Sequence, residues 1–373
     1  AEFQAAMAAV FAARPRDETA PRHYLRPDRG HSYYTTFWTF DTWNRHTTIW
    51  RYVRHIVWWP HSAIYRVIVW PVAIFTCWAA LAMFLRQRCG WTFTVGMQPL
   101  ALASTPLTLL LTLRANQSIS RLLDAREAWS RAVLHSRAMA GILSVHVAPY
   151  STRAAFHAGR CLALFGWSMK AHFRQEGDED IVPLLLPERE AQWLLRQPKR
   201  PLSLLWLVER IVAEVNRKGF LTTSTHSALL LHLRELNASL SCCERIFRSP
   251  SPPMYTRHCS RILIVWLFLL PLALEATGLT VRLVVLTTCF IAYFLIGLDE
   301  IGVEIEHVFR LLPLQDITIA MMDDISEQLA PMRPPPPVDS VILYELAESQ
   351  RLLGGAGLAD GKPREKPRRE KKK

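Results

Sequence analysis

Acidic and histidine residues near the C-terminal end of the sequence are the first candidates for chemistry. Glu304 and His307 show the Glu-x-x-His spacing that supplies half of a di-iron site in helical bundles. The sequence contains no second Glu-x-x-His, so it predicts no iron site and no other metal site. It also has no phosphate-binding loop, no nucleophile constellation and no redox motif. We therefore expect a protein that is not an enzyme and uses no cofactor.

Three arginines come within thirteen residues after an apolar segment. Met97 to Leu113 is an uncharged run of seventeen residues, and Arg114, Arg121 and Arg126 come after it. No strong helix breaker follows this run before Trp129, so the stretch predicts one helix that passes from an apolar environment into water. Ion pairing along the helix surface is one interpretation of the arginines. The pairs with suitable spacing are Arg121 with Asp124 and Glu127 with Arg131.

The composition favours a protein that is partly embedded in a membrane. Half of the residues are hydrophobic, 20% are charged, and thirteen are Trp. The net charge is +12, and the tail Lys362 to Lys373 supplies +6 of it, from eight Lys/Arg and two Glu. Such a tail is usually solvated and disordered, although attraction to an anionic membrane surface is an alternative. Nucleic-acid binding is not expected, because no recognition module accompanies the charge.

The cysteines and the first residues predict no disulfide framework, zinc site or secretory signal. The seven cysteines are scattered and form no Cys-x-x-Cys pair, so we expect reduced thiols. The opening stretch "AEFQAAMAAVFAARPR" lacks an apolar h-region. Its Ala and Arg content would also suit the remnant of an organelle transit peptide. We expect residues 1–35 to be mobile.

Four apolar runs predict four transmembrane helices. The runs are Val67 to Leu85, Met97 to Leu113, Ile262 to Leu274 and Leu283 to Leu298. We place the spans at about 63–86, 97–113, 258–279 and 281–298. The third run is only thirteen residues long. It spans about 20 Å of a ~30 Å core, so it either extends through Arg261 and Glu275 or has its ends covered by protein. A buried hairpin in a soluble protein is the alternative.

The segments between and after the spans predict a helical extramembrane domain and a loose tail. Residues 114–257 are polar and rich in helix formers, with breaks at prolines. Arginines flank the first, second and third spans on the side of this insert. The positive-inside rule therefore places both termini and the insert on one side of the membrane. We expect one folded domain at 36–326, followed at 327–373 by a Pro-rich linker and a basic disordered tail.

Three stretches carry a family resemblance. The first, "LLLTLRANQSISRLLDAREAW", resembles the end of the second membrane helix in bestrophin-type anion channels. "CERIFRSPSPPMYTRHCSRILIVWLFLLPLAL" and "GLDEIGVEIEHVFRLLPL" are similar to that family's entry into the third helix and end of the fourth. The residues that match the first motif are Arg114, Asn116, Ser118, Arg121, Arg126 and Trp129; Leu113, Ala115, Ile119 and Asp124 depart from it. The chain resembles most the thylakoid bestrophin-like proteins of algae and plants.

The resemblance implies an all-α membrane protein that forms a homopentamer around a central pore. Five copies of the second helix would line an apolar neck, and the insert would form a wider vestibule. Carried onto this sequence, the neck consists of Gln98, Leu102 and Pro106, at intervals of four residues. Leu109 is expected on another face of the helix. An apolar ring can gate by dewetting and favours weakly hydrated anions.

The resemblance also suggests roles for charged residues. Arg114 and Arg121 would attract anions to the inner mouth through their field, with ion pairing as the alternative. We favour ion pairing for Arg126. The acidic residues near the fourth span are expected to pair with arginines of the insert, because unpaired charge near a membrane is costly. These residues are Asp299, Glu300, Glu304 and Glu306. No calcium clasp is expected, because leucines stand where animal bestrophins carry acidic residues.

The implied function is an anion channel for chloride or bicarbonate in the thylakoid membrane, with its termini on the stromal side. Its partners would be other copies of itself, the permeating ion and membrane lipid. One alternative is a non-conducting membrane scaffold or regulatory subunit with the same fold. Another is a proton-coupled anion carrier. Current through purified protein separates these functions, because a scaffold passes none and a carrier shows no single-channel steps.

Overall fold

The computed structural model describes residues 37–59, 62–90, 93, 95–174 and 179–330. Within these ranges every regular element is an α-helix, apart from a π-helical turn at Leu143–Val147. The mobile N-terminal segment and the disordered tail predicted from the sequence lie largely outside the described residues. The helices are α1 Phe40–Thr47, α2 Arg51–Val57, α3 Ala63–Cys89, α4 Met97–Ile142, α5 Thr152–Arg174, α6 Val182–Leu185, α7 Glu188–Leu195, α8 Arg200–Arg217, α9 Thr223–Arg248, α10 Pro253–Glu275, α11 Val281–Glu306, α12 Val308–Leu311 and α13 Leu314–Leu329.

Three helices in the described part of the chain are long and apolar enough to cross a membrane. They are α3, α10 and α11, which contain three of the four apolar runs, although the third predicted span, 258–279, extends four residues beyond the end of α10. Helix α10 continues through Arg261 to Glu275, and the Glu275 carboxylate lies 2.6 Å from Arg86 Nε of α3. The helix therefore extends beyond the short third apolar run at both ends, which was the first of the two predicted outcomes. The remaining predicted span, at 97–113, begins α4, where polar side chains lower the hydropathy.

Two separate apolar cores hold the helices together. The first core is formed by α3, the start of α4, α10 and α11, with Ile68, Leu107 and Leu267 among its buried side chains. The second is formed by the rest of α4 with α5 to α9, α12 and α13, and includes the buried Trp129 and Phe165. The first core draws its side chains from the predicted spans, and the second draws most of its side chains from the predicted insert. The chain after the last apolar run also joins the second core, since α13 packs on α4 and α5.

Helix α4 runs through both cores without interruption. Its 46 residues correspond to about 69 Å at the usual rise per residue. The prediction of one continuous helix from the apolar run to Trp129 is therefore confirmed. Pro106 lies inside α4 and does not end it. Its ring cannot donate to the Leu102 carbonyl, so the helix has one weak point within its apolar part.

Helix α10 holds α4 on both sides of this weak point. The Tyr255 hydroxyl donates to the Leu110 carbonyl oxygen at 2.8 Å, and Trp266 Nε1 donates to the Leu100 carbonyl oxygen at 3.0 Å. Both acceptors are backbone atoms of α4 in the apolar segment. Because each bond needs one particular carbonyl, the two together set how far α4 is shifted along α10. They also satisfy polar groups that would otherwise face an apolar environment.

Helix α9 packs along the extramembrane half of α4. His135 Nδ1 and His232 Nδ1 are 3.0 Å apart across this contact. Burial, and secondly the nearby His135, lower the pKa of His232. His232 therefore resists protonation while it faces His135. Only one of the two facing nitrogens can donate across the contact. The contact fixes the relative rotation of two long helices at one point.

The cysteines are free thiols, as the sequence predicted. Cys161 and Cys243 are buried in the extramembrane core. Burial is the main cause that raises the pKa of Cys243 to about 12, and it raises the pKa of Cys161 further. Both thiols stay protonated at neutral pH, and a protonated buried thiol is a poor nucleophile. They act as small apolar side chains.

Glycines allow α5 and α13 to approach closely. A methyl group added at Gly159 would overlap Leu329 Cδ1, and one at Gly166 would lie 3.0 Å from Met321 Sδ. Gly297 in α11 differs, because the nearest atom to an added methyl there is Ile68 Cδ1 at 3.7 Å, an ordinary contact. A side chain at Gly159 would thus require the buried Leu329 side chain of α13 to move.

We predict that Gly159→Ala lowers the stability of the protein by about 1–3 kcal/mol, the usual cost of overpacking a core. Gly297→Ala is the matched control and should change it little. The measurement is the thermal unfolding midpoint of purified protein in mild detergent. Samples are heated to different temperatures, and the folded protein that remains is measured by size-exclusion chromatography with Trp fluorescence detection. Equal midpoints for Gly159→Ala and the wild type would show that α13 does not pack closely on α5.

Candidate functional site

One side of the apolar part of α4 is not covered by the rest of the chain. Leu102, Leu109 and Leu113 are 78%, 58% and 44% exposed. At 3.6 residues per turn, Gln98, Pro106, Leu109 and Leu113 all lie within about 40° of Leu102 around the helix. We call this set the open face of α4. The opposite side contains Leu100, Leu107 and Leu111, which are buried in the first core, formed with α3, α10 and α11.

The open face brings together the three predicted neck residues and adds two more. Gln98, Leu102 and Pro106 are all exposed and share this side of α4. Leu109 was expected on another face, and this expectation is wrong, because it lies about 20° from Leu102 around the helix. The buried leucine nearest to it along the chain is Leu107, which is 1% exposed. Whether the open face lines a pore depends on neighbouring copies and stays a prediction.

Arg114 is buried where the two cores meet. Its side chain is 3% exposed and forms an ion pair with Asp299 of α11. The arginine points about 120° away from Leu102, so it does not lie on the open face. Removing one partner of such a buried pair leaves an uncompensated charge and typically costs ~3–5 kcal/mol. The role of Arg114 in attracting anions stays a prediction, and Asp299 compensates most of its charge.

Arg121 connects α4 to the end of α9. Its Nη1 donates to the Ser249 carbonyl oxygen, and its Nη2 donates to the Ile246 carbonyl oxygen at 2.8 Å. These acceptors lie at the C-terminal end of α9, where the helix dipole is negative. Among the described residues no carboxylate pairs with Arg121, so its positive charge is compensated only by dipoles. It therefore retains more of its field than Arg114 does.

The other predicted ion pairs differ in their partners. Glu127 and Arg131 are 3.9 Å apart, whereas no ion pair joins Arg121 to Asp124 in the described structure. Glu306 accepts a hydrogen bond from the Ser251 backbone N–H at 3.1 Å, in place of the expected arginine. Glu300 and Glu304 are half-buried on the same helix as Asp299. Within this cluster, Asp299 is thus held by Arg114 and Glu306 by a backbone amide.

An arginine that the sequence analysis did not identify holds the turn after α11. Arg174 Nε donates to the Phe309 carbonyl oxygen at 3.1 Å, and its Nη2 donates to the Leu312 carbonyl oxygen at 2.7 Å. These are backbone oxygens of the segment in which a calcium clasp was considered. A guanidinium there already supplies a positive charge to both carbonyls. The described residues contain no group of three or more His, Cys, Asp or Glu that could hold a metal ion.

Comparison with known proteins places the fold and the motifs in one family. The family model described as "Bacterial/Fungal Bestrophin protein" matches residues 42–327. A voltage-dependent anion channel-forming protein from Synechocystis is 27% identical over 273 residues, which cover 69% of this chain and 87% of that protein. The chloroplastic voltage-dependent chloride channel 2 of Arabidopsis thaliana is 24% identical over 304 residues, which cover 78% of this chain and 72% of that protein.

Solved structures agree with this assignment at the level of the fold. A point mutant of a bacterial bestrophin homologue from Klebsiella pneumoniae aligns with a TM-score of 0.65 and 22% identity. The alignment covers 70% of this chain and 99% of that one. The structure, the three apolar helices and the sequence motifs therefore lead to one conclusion: the chain is an all-α membrane protein that belongs to the bestrophin family.

Proposed function

We propose that this protein is an anion channel whose pore is lined by the open face of α4. The observation that carries the proposal is the contrast between the two sides of this helix. One side is buried against α3, α10 and α11, and the other side exposes the leucines Leu102, Leu109 and Leu113. Relatives named as anion or chloride channels support the same function. No enzymatic role is proposed, since the family and its named relatives are channels.

The proposed channel is a homopentamer with α4 nearest to the axis. A single chain cannot enclose a pore with one exposed helix face, so several copies must meet there. The exposed arc of α4 is wider than the open face alone, because Thr108, Thr112 and Ile119 are also exposed. The edges of that arc would contact neighbouring copies, and its middle would face the axis. Lipid would cover the exposed apolar side chains of α3 and α11.

The proposed mechanism combines an apolar neck with a positive inner mouth. A ring of leucines excludes water unless an ion enters, and it passes most readily those anions that lose water at low cost. Behind the neck, five copies of Arg121 would raise the local concentration of anions through their summed field. Chloride and bicarbonate are the proposed physiological ions. The proposed location is the thylakoid membrane, with the termini on the stromal side.

The first prediction concerns assembly. Native mass spectrometry of the full chain in mild detergent should show a pentamer as the main species. Chemical cross-linking of the same sample gives an independent count of subunits. A dominant monomer or dimer would exclude a pore enclosed by α4.

The second prediction concerns the neck. In planar bilayers, Leu102→Ala should raise single-channel conductance and weaken discrimination between iodide and chloride, because the shortened side chain widens the ring in every copy. Leu107→Ala is the control on the buried side. It should lower stability by ~2–5 kcal/mol and leave the iodide-to-chloride permeability ratio unchanged. The milder Leu107→Met keeps the control usable if the alanine variant unfolds.

Two results would contradict this neck. A selectivity change in Leu107→Met with none in Leu102→Ala would mean that the buried side of α4 faces the ion. An absence of current from correctly assembled wild-type pentamers would favour a membrane scaffold instead. Saturating flux driven by a pH gradient, without single-channel steps, would favour a proton-coupled carrier.

The third prediction concerns calcium. Arg174 already supplies a cation to the Phe309 and Leu312 carbonyls, so the current should change little between calcium-free and micromolar-calcium solutions. Arg174→Met removes that cation and keeps most of the length of the side chain. It should lower the thermal stability of the protein. Reversible loss of wild-type current on chelation of calcium would contradict the prediction.

A further inference from the structure

The open face of α4 continues beyond its last leucine with neutral polar side chains. Asn116, Gln117 and Ser120 follow Leu113 by three, four and seven residues, which places them on the same side of the helix. All three are exposed. Asn116 and Ser120 lie within about 40° of Leu102 around the helix, and Gln117 lies about 60° away. Asn116 begins about 4.5 Å, or less than one turn, past Leu113 along the axis.

The donors of these side chains are not used inside the chain. Within the described residues, no hydrogen bond engages the Asn116 carboxamide, the Gln117 carboxamide or the Ser120 hydroxyl. The hydroxyls higher on α4 behave differently. Thr108 Oγ1 donates to the Ser104 carbonyl oxygen at 2.9 Å, and Thr112 Oγ1 donates to the Thr108 carbonyl oxygen at 2.8 Å. The first free polar donors past the apolar segment are therefore those that follow Leu113.

The nearby arginines point elsewhere. Arg114 and Arg121 lie at about 120° and 100° from Leu102 around the helix, and both are held by α11 or by the end of α9. Further along the open side come Asp124 and Glu127, whose carboxylates repel anions. Glu127 lies 3.9 Å from Arg131. On this side of α4, Asn116 and Ser120 thus lie between Leu113 and the acidic residue Asp124.

Neutral donors at this position fit the needs of an anion that has just left an apolar ring. The ion has shed water and must regain hydrogen bonds before it can move on. A carboxamide offers two N–H donors and a hydroxyl offers one, without a fixed charge that would hold the ion. Conduction requires a site favourable enough to enter and weak enough to leave. The dipole-compensated charge of Arg121, behind this site, adds attraction without direct contact.

We infer that Asn116 and Ser120 form a ring of neutral hydrogen-bond donors that binds small, well-hydrated anions immediately inside the neck. The class of ligand is a monovalent halide or a small oxyanion, as chloride and bicarbonate are. The ring sets how well strongly hydrated anions compete with weakly hydrated ones, while the leucines set the width of the pore. This inference rests on the proposed function, since it requires the open face of α4 to face the axis.

The test is single-channel recording in planar bilayers with Asn116→Leu, Asn116→Ser and Ser120→Ala. Leucine has the same number of side-chain heavy atoms as asparagine and branches at the same carbon; it is larger, and it removes both donors. It should lower chloride conductance about tenfold, which corresponds to about 1.4 kcal/mol, and raise the thiocyanate-to-chloride permeability ratio. Asn116→Ser retains one donor and should fall between Asn116→Leu and the wild type. Ser120→Ala should show the smaller change in the same direction.

Asn237→Leu is the matched control, because Asn237 is an exposed asparagine on α9. It should leave conductance and permeability ratios as in the wild type. If the wild type conducts and Asn116→Leu matches it in both quantities, the donor ring is wrong and the channel proposal stands. An equal change in Asn237→Leu and Asn116→Leu would also overturn it. If the assembled wild type passes no current, the proposed function itself fails.

Discussion

Helix α4 must satisfy two different environments with one continuous surface, and the rest of the structure is arranged around it. Its first third contacts an apolar core formed by α3, α10 and α11, and its remainder contacts the extramembrane core. Because the helix is unbroken over 46 residues, the rotation set in one core is transmitted to the other. Tyr255 and Trp266 fix this helix along α10, and His135 fixes it against α9. The side that none of these contacts covers is the open face.

The arginines near this helix mainly hold the fold together. Arg114 pairs with Asp299 at the junction of the two cores, and Arg121 caps the end of α9. Arg174 holds the turn that returns the chain from α11 to the extramembrane core. Guanidinium groups suit these positions because they stay charged when buried and offer several donors in a fixed geometry. In the proposed channel, the field acting on an anion would come chiefly from charges compensated by dipoles, as at Arg121.

In the proposed channel, this arrangement would separate the tasks that a selective pore needs. Leucines that no other part of the chain covers would form the apolar ring, and neutral donors next along the same side would receive the ion. Neither group is needed to hold the chain together, since the buried leucines of α4 lie on the opposite side. Substitutions on the open face should therefore change conduction with little loss of stability. Substitutions of Leu107 or Arg114 should act mainly through the fold.

Much of the fold followed from local sequence patterns. Uncharged runs predicted the apolar helices, the absence of breakers predicted α4 through Trp129, and three motifs indicated the family. The rotation of α4 was not predictable in the same way. Leu102, Leu107 and Leu109 look alike in an apolar run, because a helix whose exposed side is also apolar has no polar side to mark its orientation. Only contacts with α3, α10 and α11 distinguish the buried leucine from the exposed ones. Tertiary structure also decided the partners of Glu306 and Arg174. Glu306 accepts from a backbone N–H and Arg174 donates to backbone carbonyls, and such partners cannot be inferred from residue types.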